Sequence, residues 1–126
     1  MDNNKKRPIY LNLLEIRLPV GGVVSILHRV SGVVLVLVLP ALLMLLDQSL
    51  ASAQQYQAVT ALLATPAMRL AGVALVWFLA HHLLAGIRHL LLDLDIGIGR
   101  EAARLSAWVT LGLGLLAALT MAVRVC

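Results

Sequence analysis

Three apolar runs, at residues 21–46, 67–92 and 105–124, constrain this chain more than any other feature of its sequence. Each approaches or exceeds the about 20 residues an α-helix needs to cross the hydrocarbon core of a bilayer. Between them they take up most of a 126-residue chain that is 61% hydrophobic and 13% charged. A soluble domain of this size has too little interior to hide so much apolar surface, so lipid must be part of the solvent. The expected fold is an all-α membrane protein: three transmembrane helices in a single domain spanning 1–126, preceded by a cytoplasmic or interfacial segment at 1–20.

The net charge of +4 reflects membrane anchoring rather than affinity for nucleic acid. Lys5, Lys6, Arg7, Arg17 and Arg29 lie before or just inside the first run, and Arg88, Arg100 and Arg104 flank the turn between the second and third. Only Arg69 and Arg124 fall at the other level. By the positive-inside rule the N-terminus is cytoplasmic and the C-terminus is outside. All four histidines then sit in the cytoplasmic half. Cys126 is the sole cysteine, which excludes a disulfide framework and a CxxCH haem attachment.

Tyr10–Leu18 places Leu11, Leu14 and Leu18 on one helical face and reads as a short interfacial segment. Pro19 with Gly21-Gly22 redirects the chain into the first spanning helix, which Pro40 should kink. Ala51-Ser52-Ala53 mimics a signal-peptidase site, but the run before it is too long for a signal-peptide core. Asp47–Thr65 is expected as an outer loop that permits a short surface helix. Thr65-Pro66 reads as the N-cap and first position of the second spanning helix. Asp95–Gly99 supplies the inner turn, and Gly112 and Gly114 allow close packing of the third helix.

Chemistry concentrates in two stripes. His82, Gly86, His89 and Asp93 recur at i, i+4, i+7 and i+11 on one helical face. Two imidazoles flanking a residue without a side chain suit a flat, metal-bearing ligand. On the first helix Ser25, His28, Arg29 and Gly32 form a second stripe. At about 1.5 Å per residue His28 lies roughly 10 Å deep, His82 roughly 16 Å and His89 roughly 6 Å, so the stripes overlap in depth. Arg29 there costs about 2.5–3.5 kcal/mol at a helix centre, less nearer the interface. It either snorkels to the headgroups or faces an anion or a developing negative charge. His82 can serve as a haem axial ligand or as an interhelical hydrogen-bond partner. Ser25 and Arg29, one turn apart, offer the donor and fixed cation a quinone carbonyl needs on reduction. His81 points about 100° away from His82 and reads as a packing residue, while Arg88 and Asp93 read as topology and capping residues. Spacing alone leaves both haem and quinone open.

Arg7-Pro8, then Ser25-Ile26-Leu27-His28-Arg29-Val30-Ser31-Gly32, then His82 with Gly86-Ile87-Arg88-His89 and Asp93, resemble the cytochrome b membrane anchor of succinate dehydrogenase. The motifs cover residues 7–93, and the remainder matches in hydropathy. The resemblance implies a haem-binding helix bundle shared with a second anchor subunit, with His82 as axial ligand to haem b. It also implies Ser25 and Arg29 at a ubiquinone site, and His28, Arg29 and His89 near the haem propionates. The implied partners are an iron–sulfur subunit, a flavoprotein that oxidises succinate, the second anchor and the lipid bilayer. The implied location is a bacterial inner membrane. His81 departs from the family pattern, which has a neutral residue there; alignment with Gly86 and His89 favours His82 as the ligand. A fumarate reductase anchor, working in the opposite direction, and a non-redox membrane adaptor are the competing readings.

Overall fold

The computed structural model describes residues 18–125. The basic residues before Leu18, most of the expected interfacial segment and Cys126 lie outside that range.

Four helices follow one another: α1 (Val20–Ala51), α2 (Ala53–Leu63), α3 (Pro66–Asp93) and α4 (Arg100–Val125). Helices α1, α3 and α4 are long and apolar enough to cross a membrane. Each runs past its apolar core, because helical hydrogen bonding continues until a residue stops it. Pro19 starts α1 by accepting from the Gly22 and Val23 amides, and α1 then continues through Pro40 to Ala51. The proline lacks the N–H that would bond the carbonyl four residues back, yet the helix is unbroken across it.

The expected outer loop is almost entirely helical. Ser52 is extended and its hydroxyl caps α2 by accepting from the Gln55 amide at 3.1 Å. The Ala-, Gln- and Leu-containing segment that follows has the propensity to continue as helix. Thr65 stands at the N-cap of α3 with Pro66 behind it, as expected, but its hydroxyl donates backward to the Leu62 carbonyl and does not cap. The inner turn uses two left-handed residues, Asp95 (φ 60) and Gly97 (φ 76), the residue types that tolerate that conformation most easily.

Helix α3 packs antiparallel to both α1 and α4. Its register with α4 is held from end to end. Arg69 Nη1 donates to the Val125 carbonyl at 2.8 Å, Gly72 lies under Met121, His81 rests on Gly114, and Arg88 reaches Ser106 and Ala103. Small residues make the contact: Val24, Ala85 and Ala107 form the buried cluster at the histidine-bearing end. The outward faces are apolar, with Val36 and Leu37 among the most exposed side chains of α1. That surface is suited to lipid or to another apolar helix.

Candidate functional site

Helical periodicity divides the polar residues of α3 into two stripes with different surroundings. His81, Ala85 and Arg88 face inward and are buried. His82, Gly86 and His89 lie one step around the helix, half-covered along the seam with α1. The site occupies that seam.

His82 is fixed by α1. Its Nδ1 lies 3.1 Å from the His28 carbonyl oxygen and 3.1 Å from Ser31 Oγ. Ser31, fully buried, donates its own hydroxyl proton to the same His28 carbonyl at 2.8 Å. A carbonyl oxygen can only accept, so the assignment that satisfies all three groups puts the imidazole proton on Nδ1. Nε2 then carries the lone pair. Gly32 completes the seat: a methyl group added there would come within 3.0 Å of His82 Cε1.

The other two imidazoles gather beside it. The His28 ring stacks on His82 with centroids 4.3 Å apart and planes 15° from parallel. His89 lies 5.3 Å from His28 at 56°. A Cβ on Gly86 would meet His28 Nε2 at 3.4 Å, so His28 covers the surface above Gly86 on which the sequence stripe leaves room for a flat ligand. Ser25 and Arg29 flank the cluster on α1, Ser25 half-buried and Arg29 exposed. Among the described residues no group of three or more metal-ligating side chains forms, so the seam offers imidazole donors without a closed metal centre.

His81 has the opposite environment. It is fully buried, with its ring nearly parallel to Trp77 at 5.3 Å and its Cβ and Cα within about 3.6 Å of where a Gly114 side chain would begin. Neither ring nitrogen meets the geometry of a hydrogen bond among the described residues, although the Val24 backbone lies beside the ring.

Two functional contacts are hard to find in the sequence. Ser31 reads as one more small residue in a membrane helix, and only the crossing of α1 over α3 reveals it as the second anchor of His82. Arg88, expected to act in topology and capping, is 8% exposed and clamps α3 to α4, donating from Nε to Ser106 Oγ and from Nη2 to the Ala103 carbonyl, each at 3.0 Å.

The donor set is chemically suited to a haem on one side: a half-buried imidazole, its Nδ1 proton assigned to a backbone carbonyl, its Nε2 without a hydrogen-bond partner among the described residues, and Arg29 with two further imidazoles beside it. Residues 3–121 match the family described as succinate dehydrogenase/fumarate reductase transmembrane subunit. A Coxiella burnetii protein named succinate dehydrogenase cytochrome b556 subunit is 38% identical over 106 residues, covering 83% of this chain and 85% of the relative. The Reclinomonas americana succinate dehydrogenase cytochrome b560 subunit is 31% identical over 118 residues, covering 90% and 82% respectively. This chain, helical through its described residues with three membrane-length helices and matched along nearly its whole length, belongs to the transmembrane subunits of succinate dehydrogenase and fumarate reductase.

Proposed function

We propose that this chain is the cytochrome b anchor of a succinate:ubiquinone oxidoreductase, that it supplies one axial ligand to haem b through His82, and that it forms part of the quinone site. The observation that carries the haem assignment is the pinning of His82 Nδ1 by the His28 carbonyl and Ser31, which orients Nε2 as a neutral donor. The second axial ligand comes from the companion anchor. His28, Arg29 and His89 serve the propionates from the inner end. Bound there, the haem supplies a one-electron redox centre.

Ser25 and Arg29 act on the quinone. The serine hydroxyl donates to a carbonyl oxygen, and the guanidinium stabilises negative charge as that oxygen is reduced. Electrons arrive from succinate through the flavoprotein and iron–sulfur subunits, and the quinone takes up two electrons and two protons. The names of the two relatives support succinate oxidation over the reverse direction. The charge asymmetry and the bacterial relative support a bacterial inner membrane with the N-terminus cytoplasmic.

The test uses the purified complex. His82→Ala abolishes the reduced b-type absorbance band, while His81→Ala retains it; the opposite pattern reverses the assignment. Arg29→Ala lowers quinone turnover by about 100-fold and Ser25→Ala by about tenfold, with dye-linked succinate oxidation retained. Equal loss of both activities indicates failed assembly and removes support for the quinone role.

A further inference from the structure

At the end of the bundle where α1 and α4 begin, a cleft of about 540 Å³ opens beside Arg88. Its walls are Pro19, Val20 and Gly21 from the start of α1 and Arg100, Ala103, Arg104 and Trp108 from the first turns of α4, with Arg88 as the floor. Three arginines line one cavity. Among the described residues no carboxylate lines it, although Glu101 occupies the same turn of α4.

Arg88 is the unusual member. It is more than nine-tenths buried, and the oxygens it meets among the described residues, Ser106 Oγ and the Ala103 carbonyl, are both neutral. A guanidinium has five N–H donors in a planar fork, and these two bonds leave several uncommitted. Its Nη2 also lies 3.3 Å from where a Gly21 side chain would start, so the absence of a side chain there keeps α1 close to the guanidinium. A cation this deep, beside two more cations, calls for an anion with several acceptor oxygens.

The position of the cleft specifies which anion. Arg100 and Arg104 are exposed at the end of a membrane-length helix, Trp108 one turn deeper is 57% exposed, and Leu105 and Val109 beside it present bare apolar surface. Basic residues above an amphipathic indole and an apolar flank match the order of headgroup, interface and acyl chain. Free phosphate has no use for the apolar half. We infer that this cleft binds the phosphodiester of an anionic phospholipid, with Arg100 and Arg104 engaging the phosphate above Arg88 and the acyl chains lying along Trp108 and Val109.

The intact complex, reconstituted in nanodiscs of equal phosphatidylglycerol and phosphatidylcholine and then stripped stepwise in detergent, tests this by native mass spectrometry. Wild type retains phosphatidylglycerol in preference to phosphatidylcholine. Replacing both exposed arginines (Arg100→Gln with Arg104→Gln) weakens that retention about 30-fold, taking each basic residue at its usual worth near an anionic surface. Arg124→Gln, at the opposite end of α4, leaves it unchanged. No preference in wild type, undiminished retention in the double variant, or equal loss in Arg124→Gln overturns the inference. Displacement of the lipid by millimolar inorganic phosphate overturns it in favour of a free-anion site. Loss of the iron–sulfur subunit from the double variant overturns it in favour of a protein contact. Haem absorbance is read in parallel and stays constant, which separates this site from the imidazole seam.

Discussion

Gly32 and Gly112 occupy similar apolar stretches of sequence but have unlike neighbours. A methyl group at Gly32 lands 3.0 Å from His82 Cε1, whereas one at Gly112 meets nothing within 4 Å. Nδ1, held by the same helix, lies 3.5 Å from that point, so the His82 ring can move away only by stretching its bonds to α1. Gly32→Ala is therefore expected to shift or diminish the reduced haem band, at a conformational cost of about 1 kcal/mol. Gly112→Ala should leave the spectrum intact and raise thermal stability slightly through helix propensity. A second expectation concerns His81. Its buried nitrogens have no hydrogen-bond partner among the described residues, and one group left unsatisfied costs about 1–3 kcal/mol, against about 0.5–1.5 kcal/mol from an aromatic stack such as that with Trp77. His81→Leu should raise the melting temperature of the complex without loss of haem, and a lower melting temperature would mean the imidazole has a partner in the assembled protein. At this scale the histidines were legible because polar groups are conspicuous against lipid. Ser31 was not, because a serine in a membrane helix ordinarily bonds its own backbone and only the tertiary crossing gives it a second partner.

The pairing of α3 with α4 rests on groups that differ in how replaceable they are. Ser106 Oγ keeps its bond to the Ala103 carbonyl when Arg88 is removed, but Arg88 Nε loses its acceptor when Ser106 is removed. Ser106→Ala should thus destabilise the complex by about 1–3 kcal/mol, more than Arg88→Met, and the double variant should be no worse than Arg88→Met alone. Thermal denaturation in detergent measures all three. The helices themselves were legible from the length of the apolar runs, and the turn from the paired glycines Gly97 and Gly99, though not the left-handed Asp95. Their ends were not. Apolarity marks where lipid lies, while the helix continues through Asp47 to Ala51 and begins again at Ala53 because Ser52 supplies the cap. Nor could spacing alone show that Gly114, and not Gly112, is the point of closest approach.

For the whole molecule the governing asymmetry is electrical. Arg88, Arg100 and Arg104 gather at one end of the described bundle, and Arg69 and Arg124 at the other. If the N-terminus is cytoplasmic as proposed, a phosphatase fused after residue 126 should be active in the periplasm, and a fluorescent protein in its place should be dark; the reverse pattern would invert every depth assigned above. Spans and charge made the architecture readable because a bilayer allows so few alternatives. The proposed companion anchor left no comparable trace, since a face made for lipid and a face made for another helix are written in the same residues.

His82 is half-covered along its seam, with one ring nitrogen held by α1 and no hydrogen-bond partner for the other among the described residues. If that nitrogen takes the haem iron as proposed, the rest of the pocket is brought by a neighbour. Maturation is then tied to encounter: pigment and partnership arrive together, and colour becomes a record that the two halves have met.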